Sequence, residues 1–369
     1  MDLINAAIPF FFVLIAAEFV IGRLQGRRIF RAPDVIADLS LGTLQTIFTV
    51  VAAGLLSGLY VLAYEHRFFT LPDSWWVVVF ALVGVDFCYY WFHRASHRVM
   101  LAWATHAPHH SSEDYNFAVA LRQGPIQPLC SMLFYLPLGL LGLPYQSFVF
   151  GGAVSLLYQF WIHTEVINRI GPLEWVLNTP SHHRVHHGCN GGYLDKNHGG
   201  ILIIWDRLFG TFAQEHDTPI YGTVTALTTW NPLLAWWQPF GDIVSKMRAS
   251  HGVTDILCAL FAPPEWLPAG MASAPPVTGP RPKFDARPHR GVLIYGAVQF
   301  VVVLLLGVVY LRLAPQLSTT ASWTVALWLT VSYGAIGGLL DERPWARPLE
   351  VTRLVVVGPL VWWLLRDMG

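Results

Sequence analysis

Residues 75–97 read WWVVVFALVGVDFCYYWFHRASH, an apolar stretch that ends in two histidines. At 100° per residue, one helix face about 60° wide carries Asp86, Tyr90, His93 and His97. Ionisable groups at the end of an apolar helix are costly in a membrane and are usually functional. Two histidines four positions apart can bind one metal ion, and Asp86 is placed to orient a ligand or a neighbouring structural group. The alternative is a pair of solvated histidines at the membrane surface.

Two further clusters share the spacing H-x-x-H-H: His106, His109 and His110, and then His183, His186 and His187. Imidazole is the commonest protein ligand for metals, and at this spacing two histidines can share one ion while the third reaches another. Repetition of the pattern favours a metal site over packing. His182 offers an overlapping spacing, but His183 completes the repeat and is the predicted ligand.

A lone histidine, His163, ends another apolar stretch and is followed by Thr164 and Glu165. It is the predicted ninth ligand, with a carboxylate nearby; the alternative is an interfacial histidine in contact with lipid headgroups. His66, His216, His251 and His289 stand alone in the sequence, and we expect them to be solvated.

The composition is that of an integral membrane protein. Of 369 residues, 54% are hydrophobic, 12% are charged and 16 are tryptophan. The formal net charge is zero, so no basic excess indicates nucleic-acid binding. The four cysteines show no Cys-x-x-Cys spacing, which argues against a disulfide framework and a thiolate zinc site. The predicted metal ligands are therefore nitrogens.

Hydrophobic segments predict an all-α bundle of about eight membrane spans. The first lacks a preceding basic region and a cleavage site, so it is read as a retained span rather than a signal peptide. A Pro-rich linker at 262–290 is predicted to separate a histidine-bearing catalytic region, 1–261, from a three-span C-terminal bundle, 291–369. The predicted spans are 7–22, 40–63, 75–92, 126–143, 145–163, 292–314, 321–340 and 352–366.

The distribution of arginine predicts the orientation. Arg23, Arg27, Arg28 and Arg31 follow the first span, and cytoplasmic loops are enriched in such residues. Threading the spans from this point places every histidine cluster on the cytoplasmic side.

Eight or nine imidazoles exceed what one ion can bind, so two metals are predicted. Nitrogen-rich sites suit zinc, copper, iron or nickel. A hydrolytic zinc site needs three protein ligands and an open position. A pair of irons in a membrane instead indicates dioxygen activation on a lipid substrate. A histidine-lined metal transporter is the non-enzyme alternative, but its ligands are expected on several spans at the membrane midplane.

The ordered boxes H-x3-H, H-x2-H-H and H-x2-H-H resemble those of the fatty acid hydroxylase and sterol desaturase superfamily of membrane di-iron enzymes. The sequence segments between and after the boxes are most similar to those of the alkylglycerol monooxygenase branch. These are His-Ser-Ser-Glu-Asp-Tyr-Asn at 110–116, Trp-Ile-His-Thr-Glu-Val-Ile-Asn at 161–168, Asp-Lys-Asn at 195–197 and Ile-Trp-Asp-Arg-Leu-Phe-Gly-Thr-Phe at 204–212.

The resemblance implies two iron ions bound by the eight box histidines, with His163 as a ninth ligand. It also implies O2-dependent hydroxylation of the ether-adjacent carbon of an alkylglycerol, which yields a fatty aldehyde and a glycerol derivative, with tetrahydrobiopterin as reductant. The alternative within the superfamily is a sterol or fatty-acyl hydroxylase or desaturase served by a separate electron donor. Asp86, Glu165 and Asp195 are the candidate catalytic acids, which would orient ligands or relay protons.

Two residues depart from the branch pattern. Arg98 stands where an acid is usual, which bears on substrate or pterin handling, and His198 stands where an aromatic is usual. We expect His198 to be a surface residue; the alternative is a tenth nitrogen near the metal site. The Arg-rich, Lys-poor composition favours a bacterial inner membrane over the endoplasmic reticulum.

Overall fold

The structure, a computed structural model, describes residues 2–367. This part of the chain is helical, with two isolated β-bridges as its only β structure. The prediction of an all-α protein is confirmed. The helices are α1 (Asp2–Leu24), α2 (Ala32–Val51), α3 (Ala53–Glu65), α4 (Trp75–Arg98), α5 (Met100–His110), α6 (Phe117–Ala120), α7 (Gln127–Leu140), α8 (Tyr145–Trp161), α9 (Pro180–His186), α10 (Ile204–Leu208), α11 (Pro232–Ala249), α12 (Val253–Phe261), α13 (Arg290–Leu313), α14 (Thr319–Leu340) and α15 (Ala346–Asp367).

Five of the described helices are long and apolar enough to cross a membrane: α1, α2, α4, α13 and α14. Their outward faces carry large exposed apolar side chains, such as Phe10 at 68%, Leu305 at 60% and Leu327 at 64% exposure. A water-soluble protein rarely exposes such continuous apolar surface, whereas lipid solvates it. The chain is therefore a membrane protein.

Three of the predicted spans have a different form in the structure. The segment 40–63 is divided at Ala52 between α2 and α3, and an apolar run alone does not mark that break. The segments 126–143 and 145–163 contain α7, of 14 residues, and α8, of 17. The turn between them places Gly142 at a positive φ of 89°, and a Cβ there would lie 2.1 Å from the Phe69 carbonyl oxygen.

Two hydrophobic cores hold the helices together. One joins α3, α4, α7 and α8 around Tyr60, Val85 and Leu138. The other joins α2, α13 and α14 around Val303, Leu329 and Ile336, so the C-terminal helices pack directly on an N-terminal one. Between them, the end of α4 turns into α5 at Val99, and this corner carries two of the histidine boxes.

The segment 262–289 is irregular, and part of it runs along the histidine-bearing region. Lys283 Nζ lies 2.6 Å from Asp114 Oδ1, and the Phe284 backbone N–H donates to Glu113 Oε2 at 2.6 Å. Arg31 donates to the Phe284 carbonyl at 2.6 Å. These contacts fix the segment to residues that follow the second histidine box.

We expect Gly42→Ala to destabilise the fold, because the added Cβ would lie 2.2 Å from the Leu121 carbonyl oxygen. Overpacking of this kind costs about 1–3 kcal/mol. The matched control is Gly54→Ala in α3, where a Cβ meets no atom of the described chain within 4 Å. Thermal unfolding in detergent should show a lowered Tm for the first variant only; an equal Tm for both would contradict the close approach of α2 to Leu121.

Candidate metal centre

The structure brings all nine predicted histidines together in two groups. Within each group, one ring nitrogen of every member lies within 4.8 Å of the others. All nine side chains are buried. The five-histidine group is His93, His97, His106, His110 and His186, and the four-histidine group is His109, His163, His183 and His187.

The five-histidine group has the form of a square with a fifth ring on one side. Neighbouring ring centroids around the square His93, His106, His110 and His186 are 4.8, 4.9, 4.7 and 4.3 Å apart in cyclic order. His97 contacts all four, at 5.4, 5.3, 4.7 and 4.8 Å. The five rings are thus close enough to one another to bind one metal ion together.

The four-histidine group has one ring fewer. His163 lies between two partners, with its Nε2 3.2 Å from His109 Nε2 and 2.9 Å from His183 Nε2. The His187 ring contacts all three, at 4.6 Å from His109, 5.1 Å from His163 and 4.8 Å from His183. The two groups are adjacent, because the His110 and His187 rings stack at 4.3 Å.

The two H-x-x-H-H boxes divide their histidines between the two groups in opposite ways. In the first copy His106 and His110 join the five-histidine group and His109 joins the other, whereas in the second copy His183 and His187 join the four-histidine group. Helical residues at i and i+4 share a face, while i+3 is turned to the other side of it. Each short helix therefore contributes to both groups.

Hydrogen bonds to the outer ring nitrogens orient five of the histidines. In each case Nδ1 donates to an oxygen, which leaves the lone pair of Nε2 facing the group; carbonyl or carboxylate partners of this kind are typical of metal-bound histidine. The acceptors are the carbonyl of His198 for His93 (2.8 Å), Oε1 of Gln127 for His106 (2.9 Å), and the carbonyls of Arg122 for His109 (2.8 Å), Gln159 for His163 (2.7 Å) and Lys196 for His186 (2.8 Å).

The inward nitrogens fit metal ions. Adjacent Nε2 atoms in the five-histidine group lie 3.0 Å apart for His93 and His106, 3.1 Å for His106 and His110, and 3.2 Å for His110 and His186. Two nitrogens bound at about 2.1 Å and about 90° to one another would be about 3 Å apart. The Nε2 atoms of His97 and His187 are buried without a hydrogen-bond partner, a cost that a bound ion removes.

The electrostatics also suit metal binding, which requires neutral imidazole. Burial lowers the pKa of His106 to about 4. Burial, and then the neighbouring histidines, hold the pKa of His110 and of His187 well below the usual range. These three rings are thus neutral at physiological pH.

The three candidate catalytic acids lie at different places around the centre. Asp195 is nearest, with Oδ1 3.8 Å from His97 Nδ1 and Oδ2 2.5 Å from Arg98 Nη1, and burial raises the pKa of its carboxyl. Glu165 forms an ion pair with Arg27 at 2.5 Å. In the described part of the chain, neither carboxylate lies within hydrogen-bonding distance of a histidine of the two groups.

Asp86 acts on the centre through the backbone of a loop. It accepts hydrogen bonds from the backbone N–H groups of Ile201 (2.6 Å) and Leu202 (3.1 Å) and from Trp205 Nε1 (2.9 Å). The same loop begins at His198, whose carbonyl orients His93. These hydrogen bonds tie α4 to the loop that follows His198.

The expectation that His198 is a surface residue is wrong. Its side chain is fully buried, and its ring packs 5.0 Å from that of His97 and 5.6 Å from those of His93 and His186. The Asp195 backbone approaches the ring, but neither ring nitrogen completes a hydrogen bond of normal geometry. His182 is buried outside both groups, 5.4 Å from the Phe212 ring.

Three residues that support the centre were not singled out from the sequence. Gln127 fixes His106, and Asp206 accepts from the backbone N–H groups of His198 (2.8 Å) and Gly199 (2.7 Å). Arg122 is almost completely buried; it donates to the Pro108 carbonyl at 2.6 Å and to Asp38 Oδ1 at 2.9 Å. Asp206 lies within the segment 204–212 that carries the family resemblance, which was the available signal.

A cavity of about 550 Å³ reaches the centre. His97, His110 and His186 of the five-histidine group and His187 of the other line it. Its other walls come from α5, α11 and the segments 188–195, 222–227 and 264–274. The volume lies within the range of small-molecule sites, about 300–1,000 Å³.

Comparison with known proteins agrees with this site. The model of the fatty acid hydroxylase family matches residues 78–211, which contain every histidine of both groups. No solved structure matches the chain. The ornithine lipid hydroxylase OlsE of Rhizobium tropici is 36% identical over 162 residues, which cover 43% of this chain and 47% of that protein.

Longer matches come from one kind of enzyme. The alkylglycerol monooxygenase of Homo sapiens is 38% identical over 363 residues, and that of Xenopus tropicalis is 37% identical over 365. Each alignment covers 96% of this chain and 81% of the relative. Because the similarity extends over nearly the whole sequence and is not confined to the histidine-bearing segment, the chain belongs to the alkylglycerol monooxygenases within the fatty acid hydroxylase family.

Proposed function

We propose that this protein is a membrane di-iron monooxygenase that hydroxylates the ether-adjacent carbon of alkylglycerols. The observation that carries the proposal is the presence of two adjacent groups of buried imidazoles, four of which line one cavity. Hydroxylation at that carbon gives a hemiacetal, which collapses to a fatty aldehyde and a glycerol derivative. One oxygen atom of O2 enters the product, and the other leaves as water with two electrons from a reductant.

The nine grouped histidines are the proposed iron ligands. Iron bound there supplies the activation of dioxygen and the oxidation of an unactivated carbon–hydrogen bond. For an ion with about six positions, five imidazoles leave one for a non-protein ligand and four leave two. The groups are thus proposed to be unequal, with the four-histidine group offering more room for exogenous ligands.

The protein's own residues bind the lipid, orient the histidines and exclude water. Gln127 and the Arg122 carbonyl hold His106 and His109 in one tautomer. Asp195 lies beside His97, and we propose that it orients this histidine and accepts a proton at its carboxylate. Asp86 and Glu165 are proposed to act as positioning residues through the backbone and the Arg27 ion pair respectively.

Tetrahydrobiopterin is the proposed reductant, which follows from membership of the branch. A separate protein electron donor is the alternative. The second candidate within the superfamily is a sterol or fatty-acyl hydroxylase or desaturase. The match to an ornithine lipid hydroxylase over 43% of the chain supports a hydroxylase that acts on a lipid other than an alkylglycerol. A metal transporter fits less well, because the ligands gather at one end of the apolar helices.

We also propose that the centre faces the cytoplasm of a bacterial inner membrane, in a chain with about eight spans. The arginines that follow α1 lie at the same end of the molecule as the histidines: Arg27 pairs with Glu165, and Arg31 donates to Asp114 Oδ2 at 2.8 Å. Positive loops are retained on the cytoplasmic side. Residues 1–261, 262–290 and 291–369 are the proposed catalytic region, linker and C-terminal bundle.

The metal assignment predicts a loss of iron from ligand variants. Protein reconstituted with iron(II) should hold about two irons per chain by elemental analysis, and His110→Ala and His187→Ala should each hold about one or fewer. His182→Ala is the matched control, since this buried histidine adjoins a ligand but lies outside both groups. Full iron content in both ligand variants would contradict the assignment.

The substrate assignment predicts which lipid is oxidised. With iron(II), O2 and tetrahydrobiopterin, the protein should release fatty aldehyde from 1-O-alkylglycerol, and omission of the pterin should abolish release. Fatty acid and sterol should give no product under the same conditions. Oxidation of either, with the ether lipid untouched, would replace alkylglycerol by the second candidate.

The histidine pKa values predict the pH dependence of stability. His106 titrates near pH 4 when folded but near 6.5 when unfolded, so the unfolded chain binds more protons between these values. Metal-free protein should therefore keep full stability above about pH 6.5 and lose it as the pH falls towards 4, by about 3 kcal/mol from this residue alone. Denaturant unfolding at several pH values measures the change; a His106→Gln variant should show a smaller dependence, and an identical one would contradict the assignment.

A further inference from the structure

One wall of the cavity, on helix α11, carries several polar side chains. Helix α11 contributes Gln238, Asp242, Ser245 and Lys246 to the lining. These positions are four, three and one residues apart, which places them along one side of the helix. Helix α5 and the segment 264–274 contribute apolar side chains, including Met100, Trp103, Leu267 and Met271. A lipid in the cavity would therefore meet both polar and apolar groups.

Two cations near the cavity, Lys246 and Arg98, already have polar partners within the protein. Lys246 is only 4% exposed, and its Nζ donates to the Pro264 carbonyl at 2.6 Å. Arg98 lies 2.5 Å from Asp195 and 3.0 Å from Glu265. Lys246 therefore joins α11 to the segment at Pro264, and Arg98 joins the end of α4 to Asp195 and Glu265.

Asp242 differs from these residues. It is exposed, and within residues 2–367 it makes no hydrogen bond or ion pair; its electrostatic partner is Lys246, one turn away. Asp195, Asp242 and Glu265 supply three carboxylates near the cavity, one more than the two cations. This excess of negative charge disfavours the binding of a phosphate, because bringing like charges together at a binding site is costly.

The reaction requires the polar head of the lipid to lie close to the metal centre. In an ether lipid the carbon to be oxidised is bonded to the oxygen that joins it to the headgroup, so this step rests on the proposed function. The histidines and the polar side of α11 line the same cavity. A headgroup bound on α11 would leave the alkyl chain against the apolar walls.

We propose that Asp242, with Gln238, is the subsite that binds the headgroup and selects a hydroxyl-bearing headgroup over a phosphorylated one. The Asp242 carboxylate accepts hydrogen bonds from vicinal hydroxyls, and the Gln238 amide both donates and accepts. A site built to bond hydroxyls rejects analogues that lack them, because its polar groups are then left unpaired. Asp242 also repels a phosphorylated headgroup.

Binding can be measured without turnover, using iron-loaded protein under anaerobic conditions without reductant. Three probes are titrated against a fluorescent alkylglycerol: 1-O-alkylglycerol, its 3-phosphate, and an amine-headed alkyl lipid. Wild-type protein should prefer the diol. Asp242→Ala should weaken diol binding about 10- to 100-fold, and Asp242→Lys should reverse the preference towards the phosphate. Iron content and Tm should be unchanged in both.

Asp73→Ala is the matched control, because Asp73 is an exposed acid ahead of α4 that does not line the cavity. Wild-type diol affinity in Asp242→Ala, or no gain of phosphate binding in Asp242→Lys, would overturn the subsite while leaving the proposed function standing if wild type still oxidises the ether lipid. Tighter wild-type binding of the amine-headed lipid would overturn the selection of hydroxyls. Wild-type protein that neither binds nor oxidises alkylglycerol would overturn the proposed function itself.

Discussion

Nine neutral imidazoles turned towards one another within a buried volume are the constraint on which the rest of the structure depends. Each inward nitrogen has lost its contact with water, and neighbouring Nε2 atoms as close as 2.9 Å place lone pairs against one another. Such an arrangement is unfavourable unless metal ions bind the nitrogens. The surrounding chain must therefore hold the rings in place by forces that do not depend on the rings themselves.

Those forces come from the outer nitrogens and from the residues behind them. Four of the five acceptors that orient a histidine are backbone carbonyls, which a side-chain substitution does not remove. Their positions are in turn set by buried charges: Arg122 is held by Asp38 on α2, and the loop at His198 by Asp86 and Asp206. A transmembrane helix without any histidine thus takes part in shaping the four-histidine group.

The grouping of the histidines could be predicted from sequence because their spacing is local. Positions i and i+4 share a helix face whatever the tertiary structure, so the boxes identified eight ligand candidates, and the end of an apolar stretch identified His163. The supporting residues could not be found in this way. Gln127 meets His106 across 21 positions and Arg122 meets Asp38 across 84, and no periodicity encodes such contacts. The break at Ala52 and the burial of His198 also depend on packing against distant segments.

The cavity explains why two unequal groups are useful together. It contacts three members of the five-histidine group but only His187 of the other, and His187 stacks on His110 at the junction. A substrate carbon that enters from α11 would therefore meet the five-histidine group first, and the four-histidine group adjoins it at His110 and His187. The polar side of α11 limits how far the headgroup can follow that carbon. Selection of the lipid and placement of the reacting carbon thus depend on the same wall, and a change of headgroup preference should begin there rather than among the histidines.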